Sequence, residues 1–306
     1  MKSTRDAYGE TLVKIGKENR NVVVLDADLS ESTRTKLFAR EFPDRFFNFG
    51  VAEQNMIGTA AGFALSGKIP FASTFAIFAS GRAWDQLRVS VSYSNAPVNV
   101  VASHGGVSVG EDGYTHHAIE DIALMRVLPN MTVMVPADAV ETEKMLWSAL
   151  EWKKPVYIRT GRQKVPIICD SCDFEIGKAN VLRDGGDVAI IATGNMVAEA
   201  MKAADMLKEK GISALILNIH TIKPIDSDAI IKAARNTGCI ITVEDHSIVG
   251  GLGSAVAEAT AENYPVHVTR IGVPDVFSES GPGDSLLEKF GMTAGSIAQK
   301  CMEVRR

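Results

Sequence analysis

The sequence predicts an α/β fold made of two consecutive three-layer αβα domains. The first carries a parallel sheet, and the second a smaller, mostly parallel one. Three observations predict this. Short apolar runs recur along the chain, as at 21–25, 98–102 and 188–192. Longer stretches of helical periodicity alternate with them, which implies parallel strands covered on both faces. The alternation breaks once, over 163–186, where Pro166, a cysteine pair and Asp184-Gly185-Gly186 stand together. A chain of 306 residues is also about the size at which one core gives way to two. The expected division is a first domain over 1–165, a linker over 166–186 and a second domain over 187–306.

Taken in order, a helix is expected over 6–18, then a buried strand over 21–25 ending in the polar loop Ala27-Asp28-Leu29-Ser30-Glu31-Ser32-Thr33. A strand over 46–49 breaks at Gly50, and a helix over 52–66 follows, almost wholly of small and apolar residues. The run 70–75 reads as a third strand, followed by a helix through Arg82, Trp84, Leu87 and Val91. A fourth strand over 98–102 enters a glycine-rich loop, and a helix follows it. A strand over 131–135, a helix over 138–150 and a strand over 156–159 complete this half. In the second half, strands are expected at 188–192, 214–219, 239–243 and 266–271. Helices are expected at 196–210, 226–236, 250–262 and 293–304. The first of these places Val197, Ala200, Met201, Ala204 and Leu207 on one face.

Bulk composition excludes several classes. The net charge of −5 argues against a nucleic-acid or anionic-membrane partner, which would need a basic face. No apolar run approaches the roughly 18 residues of a membrane span. The start, Met1-Lys2-Ser3-Thr4-Arg5-Asp6, is too polar for a signal peptide. Four cysteines do not make a disulfide scaffold in a chain this long, so a cytoplasmic setting is expected. Cys169 and Cys172 form a C-x-x-C pair, but in an acidic connector without a second pair, and read as incidental.

Polar residues gather where an open parallel sheet binds its ligands, beyond the C-terminal ends of the strands. Asp28 and Ser32 follow the first strand, Glu53 the second, Phe75 and Phe78 the third. His104, Asp112 and His116 lie in the loop after the fourth, within Ser103-His104-Gly105-Gly106-Val107-Ser108-Val109-Gly110-Glu111-Asp112-Gly113-Tyr114-Thr115-His116-His117. Glu53 admits two readings at this point: a carboxylate capping its helix, worth a few tenths to about 1 kcal/mol, or a functional acid. The loop could be a solvated turn, a phosphate cradle or a set of hydrogen-bonding groups for a polyhydroxylated or phosphorylated substrate. No metal site is expected, because His116 and His117 are adjacent at a helix start and diverge by about 100°.

These residues form a pattern. Gly-x-x-Glu before a small-residue helix, Thr-Phe-x-x-Phe, and Gly-Glu-Asp-Gly-x-Thr-His occur together and in order. In this the chain resembles the C-terminal half of transketolase over essentially its whole length: the pyrimidine-binding domain, then from about residue 187 the C-terminal domain. The N-terminal domain of that family, with the Gly-Asp-Gly…Asn motif for Mg²⁺ and the cofactor diphosphate, has no counterpart here. The resemblance therefore implies the C-terminal subunit of a split, two-chain transketolase, active only with an N-terminal partner subunit. Two copies of each chain would form a heterotetramer working on phosphorylated sugars of the pentose phosphate pathway.

It also implies site roles. Glu53 would contact N1′ of the thiamine diphosphate aminopyrimidine. A carboxyl kept protonated by its apolar helix would favour the tautomer whose 4′-nitrogen takes the thiazolium proton. Phe78 would stack on that ring, with Phe75 lining the pocket and Asp28 approaching the cofactor. Arg5, Ser32, His104 and Arg162 fall where the sugar phosphate is held, arginine forks being suited to phosphate oxygens. Asp112 and His116 would meet the sugar hydroxyls, and Glu53, His104 and His116 make up the catalytic set. Thiamine diphosphate and Mg²⁺ are the implied cofactors, with the metal and diphosphate held mainly by the partner. Tyr114 departs from the proline common at that position, which leaves the preferred sugar open.

Three alternatives are weighed against this. The synthase that makes 1-deoxy-D-xylulose 5-phosphate shares the cofactor, the acid and a similar loop, but Gly110-Glu111-Asp112 and Arg162 sit in a transketolase-like context. The beta subunit of 2-oxoacid dehydrogenases is similarly split but lacks the His104…Asp112…His116 set. A dinucleotide-binding protein would use Gly250-Gly251-Leu252-Gly253, yet Glu244 and Asp245 precede that turn instead of following it by about 20 residues.

Overall fold

The structure, a computed structural model, describes residues 1–168 and 172–304. The first sheet runs Thr221–Lys223, Thr132–Met134, Val156–Arg159, Asn99–Ser103, Ile69–Phe75, Val22–Asp26, Phe46–Asn48. All neighbours are parallel except the first pair. The second sheet runs His267–Val273, Cys239–Ser247, Val188–Ala192, Ala214–Asn218, Asn180–Arg183, with only the last strand antiparallel. This is the expected class: two α/β units with mostly parallel sheets.

Alternation along each strand explains the layers. Val23 and Leu25 enter the core shared with the helix Glu53–Leu65, while Val22 and Val24 face Tyr8, Leu12 and Ile15 of the helix Thr4–Glu18 on the other side. In the second sheet Ala189 and Ile191 join that same shared core, and Val188, Ile190 and Ala192 pack against the helices Met196–Glu209 and Ala294–Val304. One apolar core thus runs from the first sheet into the second.

The structure departs from the sequence reading in several places, among them added helices at Lys36–Glu41 and Gly283–Lys289. Residues 221–223, expected in the second domain, add the antiparallel edge strand to the first sheet. Residues 180–183, expected in the linker, form the edge strand of the second. Lys2–Ser3 pairs with Lys164–Val165, and Gly161 N–H donates to Thr4 Oγ1 at 2.7 Å, so both ends of the first half meet. The helix expected after Phe75 is π-helical over Phe78–Arg82 and Leu87–Tyr93, joined by the short α-helix Trp84–Gln86. Ser80 Oγ donates to the Ala76 carbonyl at 2.7 Å, competing for an acceptor that an α-helical turn would use. Such wide turns are frequent at functional sites. The cysteine pair lies partly outside the described residues, at Cys169.

Candidate active site

Glu53 is carried by a turn that only a glycine makes comfortably. Gly50 has φ +66°, and its N–H donates to Asn48 Oδ1 at 3.0 Å. The chain then enters the helix with Glu53 as its first residue and Met56, Ile57, Ala60 and Ala61 buried behind it. Glu53 is itself only 4% exposed. The apolar helix is as expected, but the carboxylate is not alone: Arg82 Nη1 donates to Glu53 Oε1 at 2.8 Å. The same guanidinium lies 3.9 Å above the centre of the Phe78 ring.

From Phe78 a row of rings leads inward. Phe75, at the end of its strand, stacks on Phe78 with centroids 5.7 Å apart and planes 15° apart. His104 also stacks on Phe75, with centroids 3.9 Å apart. His116 meets both phenylalanines edge-on, at 6.2 Å from Phe75 and 5.4 Å from Phe78. Beyond His104 comes Arg5, whose Nη1 lies 3.2 Å from His104 Nε2 and also donates to the Ser32 carbonyl at 3.1 Å. Glu53, Phe78, Phe75, His104, Arg5 and Ser32 therefore form one line of contacts across the strand ends, with Arg82 linking Glu53 to Phe78.

Asp112 and Arg162 lie beside this row as an ion pair at 3.6 Å, and Arg162 Nη1 donates to the Val109 carbonyl at 3.4 Å. Asp28 stands further out. It has φ 64° and exchanges hydrogen bonds with Asn48, N–H to Oδ1 at 3.1 Å and Oδ1 from Nδ2 at 3.3 Å. Among the described residues no hydrogen bond or ion pair joins Asp28 to Glu53. Its loop is held from below by buried Asp26, which accepts from Leu29 N–H, Thr33 Oγ1 and Thr35 Oγ1. Tyr114, 58% exposed, faces outward beside Phe277.

The electrostatics suit an anionic, hydroxylated ligand. Burial lowers the His104 pKa to about 3, helped by the charges of Arg5, Arg162, His116 and Arg34. The ring is therefore neutral at ordinary pH, and Ser103 Oγ lies 2.8 Å from its Nδ1. Burial and the neighbouring Arg34 and Arg162 push the Arg5 pKa down, as expected of cations crowded together until an anion joins them.

Three residues were missed by sequence reasoning. Arg82 carried a usable signal: it sits four residues after Phe78, which places both on one face of a helical turn. Arg34 follows Ser32 by two residues and pairs with Asp6 at 2.6 Å, adding a third cation near Arg5. His117 is buried, donating or accepting at Ser278 Oγ and hydrogen-bonded to the Gly110 carbonyl at 2.8 Å, so it ties the loop to the second domain. The loop glycines also have a structural use. A Cβ at Gly105 would run into the Arg159 guanidinium, and one at Gly106 into the Asp245 carboxylate. Asp245 in turn accepts from Val107 N–H at 2.8 Å and Ser108 N–H at 3.3 Å, holding the loop from the second domain.

Among the described residues no cluster of three or more histidines, cysteines or carboxylates could hold a metal ion. Gly251 and Gly253 allow close packing, with Glu244 accepting from Leu252 and Gly253 N–H, so a carboxylate fills the place that a dinucleotide phosphate would need.

Comparison with known proteins identifies the family. Residues 1–167 match the family described as the transketolase pyrimidine-binding domain, and residues 177–297 the transketolase C-terminal domain. The chain is 53% identical to a protein of Methanocaldococcus jannaschii described as a transketolase C-terminal section, covering 99% of this chain and 96% of that one. It is 45% identical to the 6-deoxy-6-sulfo-D-fructose transketolase subunit of Clostridium sp., over 98% of this chain and 94% of that one. A solved structure described as a split gene transketolase, inactive beta4 tetramer, is 51% identical and superposes with a TM-score of 0.92 over the whole of both chains.

Proposed function

Since the chain belongs to the transketolase family, we propose that it is the C-terminal subunit of a split transketolase, moving a two-carbon ketol unit between sugar phosphates. The observation that carries this is the single row from Glu53 through Phe78, Phe75 and His104 to Arg5, with Arg162 and Asp112 at its side. A buried acid beside stacked aromatic rings fits an aminopyrimidine, and Arg5 and Arg162 fit the anionic end of a sugar.

In this reading Glu53 and Phe78 hold the pyrimidine of thiamine diphosphate, and Phe75 walls the pocket. Bound there, the cofactor supplies a carbon nucleophile that accepts and releases the ketol unit. Glu53 holds a proton at the pyrimidine nitrogen. His104, neutral in its buried place, exchanges hydrogen bonds with the sugar without taking up charge, and His116 lies within reach of the same hydroxyls. Arg5 and Arg162 bind the phosphate, with Ser32 beside them, and Asp112 orients Arg162 as well as the sugar. Asp28 reaches the cofactor only from the rim.

A partner subunit supplies Mg²⁺ and the diphosphate site, and two copies of each chain make the heterotetramer. The similar chain described as an inactive beta4 tetramer supports the need for a partner. The relative described as acting on 6-deoxy-6-sulfo-D-fructose supports an arginine set that accepts phosphate or sulfonate. A cytoplasmic place in pentose phosphate metabolism follows from this assignment. The test is to purify the chain alone and with the subunit that carries Gly-Asp-Gly…Asn. Each preparation is supplied with thiamine diphosphate and Mg²⁺, first with xylulose 5-phosphate and ribose 5-phosphate and separately with pyruvate. Transfer is expected from the pair and none from the single chain, whereas turnover of pyruvate alone by the pair would sink the assignment.

A further inference from the structure

Arg82 makes two contacts at once that the pyrimidine reading reserves for the cofactor. Its planar guanidinium lies 3.9 Å over Phe78, the ring expected to stack on the heterocycle. Its Nη1 gives Glu53 Oε1 a hydrogen bond at 2.8 Å, using the carboxyl expected to meet the heterocycle nitrogen. A flat, delocalised cation with N–H donors in its plane resembles a protonated aminopyrimidine in shape and donor pattern. Resting on the reading of Glu53 and Phe78 given above, we propose that Arg82 is a latch over the pyrimidine site, which the cofactor ring must displace to reach Glu53.

The surroundings allow such an exchange. Glu53 is held: its side chain is 5% exposed, at the start of a packed helix. The Arg82 side chain is 50% exposed, so only one partner of the pair is fixed. Its backbone is anchored, because Gln54 Nε2 donates to the Arg82 carbonyl at 3.0 Å. The guanidinium can therefore swing about its stem while the π-helical turn Phe78–Arg82 stays in place. While latched, the pair keeps a buried carboxylate hydrogen-bonded and covers an aromatic face that water would otherwise meet. The latch thus protects the site at the expense of cofactor affinity.

The experiment titrates thiamine diphosphate with Mg²⁺ into the assembled two-chain protein by calorimetry, comparing wild type, Arg82→Met and Arg82→Lys. Methionine keeps an apolar stem but neither the charge nor the donors. Arg82→Met should bind thiamine diphosphate about tenfold tighter, the combined worth of an ion pair and a cation–π contact. Arg82→Lys, which keeps the pair with Glu53, should lie close to wild type. Inorganic diphosphate with Mg²⁺ should bind all three alike, since it never reaches Phe78. Equal or weaker binding of thiamine diphosphate by Arg82→Met would overturn the latch while leaving the cofactor assignment intact. Failure of the wild-type assembly to bind thiamine diphosphate at all would overturn that assignment, and the latch with it. Should Arg82→Met not fold, the wild-type assembly solved with thiamine diphosphate decides: a departed guanidinium supports the latch, and a retained Arg82–Glu53 pair overturns it.

Discussion

His104 shows how much one residue in this site is constrained. It has φ 61°, a conformation that costs a side-chain-bearing residue of order 1–3 kcal/mol, and it is packed against Phe75 with Arg5 at its far nitrogen. Its folded pKa of about 3 lies below the 6.5 of an unperturbed histidine, so the unfolded chain binds a proton here that the native chain refuses. The stability that follows is fully present above about pH 6.5 and drains away as pH falls toward 3. Burial lowers His220 to about 4, and it acts in the same direction. Each should cost about 2 kcal/mol between pH 7 and pH 5. Thermal melts should therefore show a smaller loss over that interval in His104→Asn than in wild type; equal losses would contradict the assignment. Glu53 calls for a different measurement. A glutamine there keeps an oxygen for Arg82 and should preserve the melting temperature, but it cannot give a proton to a ring nitrogen. Turnover of the two-chain enzyme should drop roughly 10²- to 10⁴-fold in Glu53→Gln, and near-normal turnover would remove Glu53 from the chemistry.

Among the elements, the glycine-rich loop and the Glu53–Leu65 helix make opposite use of glycine. Gly106 has φ +84°, and any side chain would meet the Asp245 carboxylate that holds Val107 and Ser108. Gly106→Ala should therefore lower stability by roughly 2–4 kcal/mol. It should also weaken sugar binding through His104, read as a raised KM. Gly62 is helical, and a Cβ there meets nothing within 4 Å. Gly62→Ala should raise the stability of the isolated chain by about 0.5–1 kcal/mol, measured by urea unfolding. The same two elements show what the sequence reveals. The break at Gly50 and the small-residue run after Glu53 announce a strand, a turn and a helix locally, and the structure keeps all three. The glycines of the loop look like ligand-binding glycines, yet the atoms that require Gly105 and Gly106 to be small are Arg159 and Asp245, remote in sequence. The π-helical turns after Phe75 leave no mark in an i, i+4 pattern, and the Ser80 hydroxyl bonded to the Ala76 carbonyl is a contact that only the fold reveals. For Arg82 the spacing from Phe78 could show only that the two share a face, and it is the fold that brings Glu53 to that face.

At the scale of the molecule, the two sheets are wired together too closely to behave as separable halves. The antiparallel pairing of Thr221–Lys223 with Thr132–Met134 closes the edge of the first sheet with chain from beyond the connector. Lys223 Nζ donates to the carbonyls of Arg126 and Leu128 at the same border. Buried Arg159 pairs with Asp121 at 3.0 Å and feels the charge of Asp245, which reaches across from the second domain to hold the loop. The apolar core that includes Val23 and Leu25 also includes Ala189, Ile191, Leu215 and Leu217. Separating the domains would thus expose a strand edge, strand apolar side chains in water and leave buried charged groups without partners, the last alone costing several kcal/mol. Two-domain chains commonly melt in steps, but here neither half has a complete boundary of its own. Calorimetry of the full chain should give one transition whose calorimetric and van't Hoff enthalpies agree. A fragment ending near residue 176 should lack a cooperative melt and should bind a hydrophobic dye. Two resolved transitions, or a fragment that melts sharply, would show that the shared core and the crossing strand contribute little. In that case the loop bearing His104 and Asp112 would be held by the first domain alone.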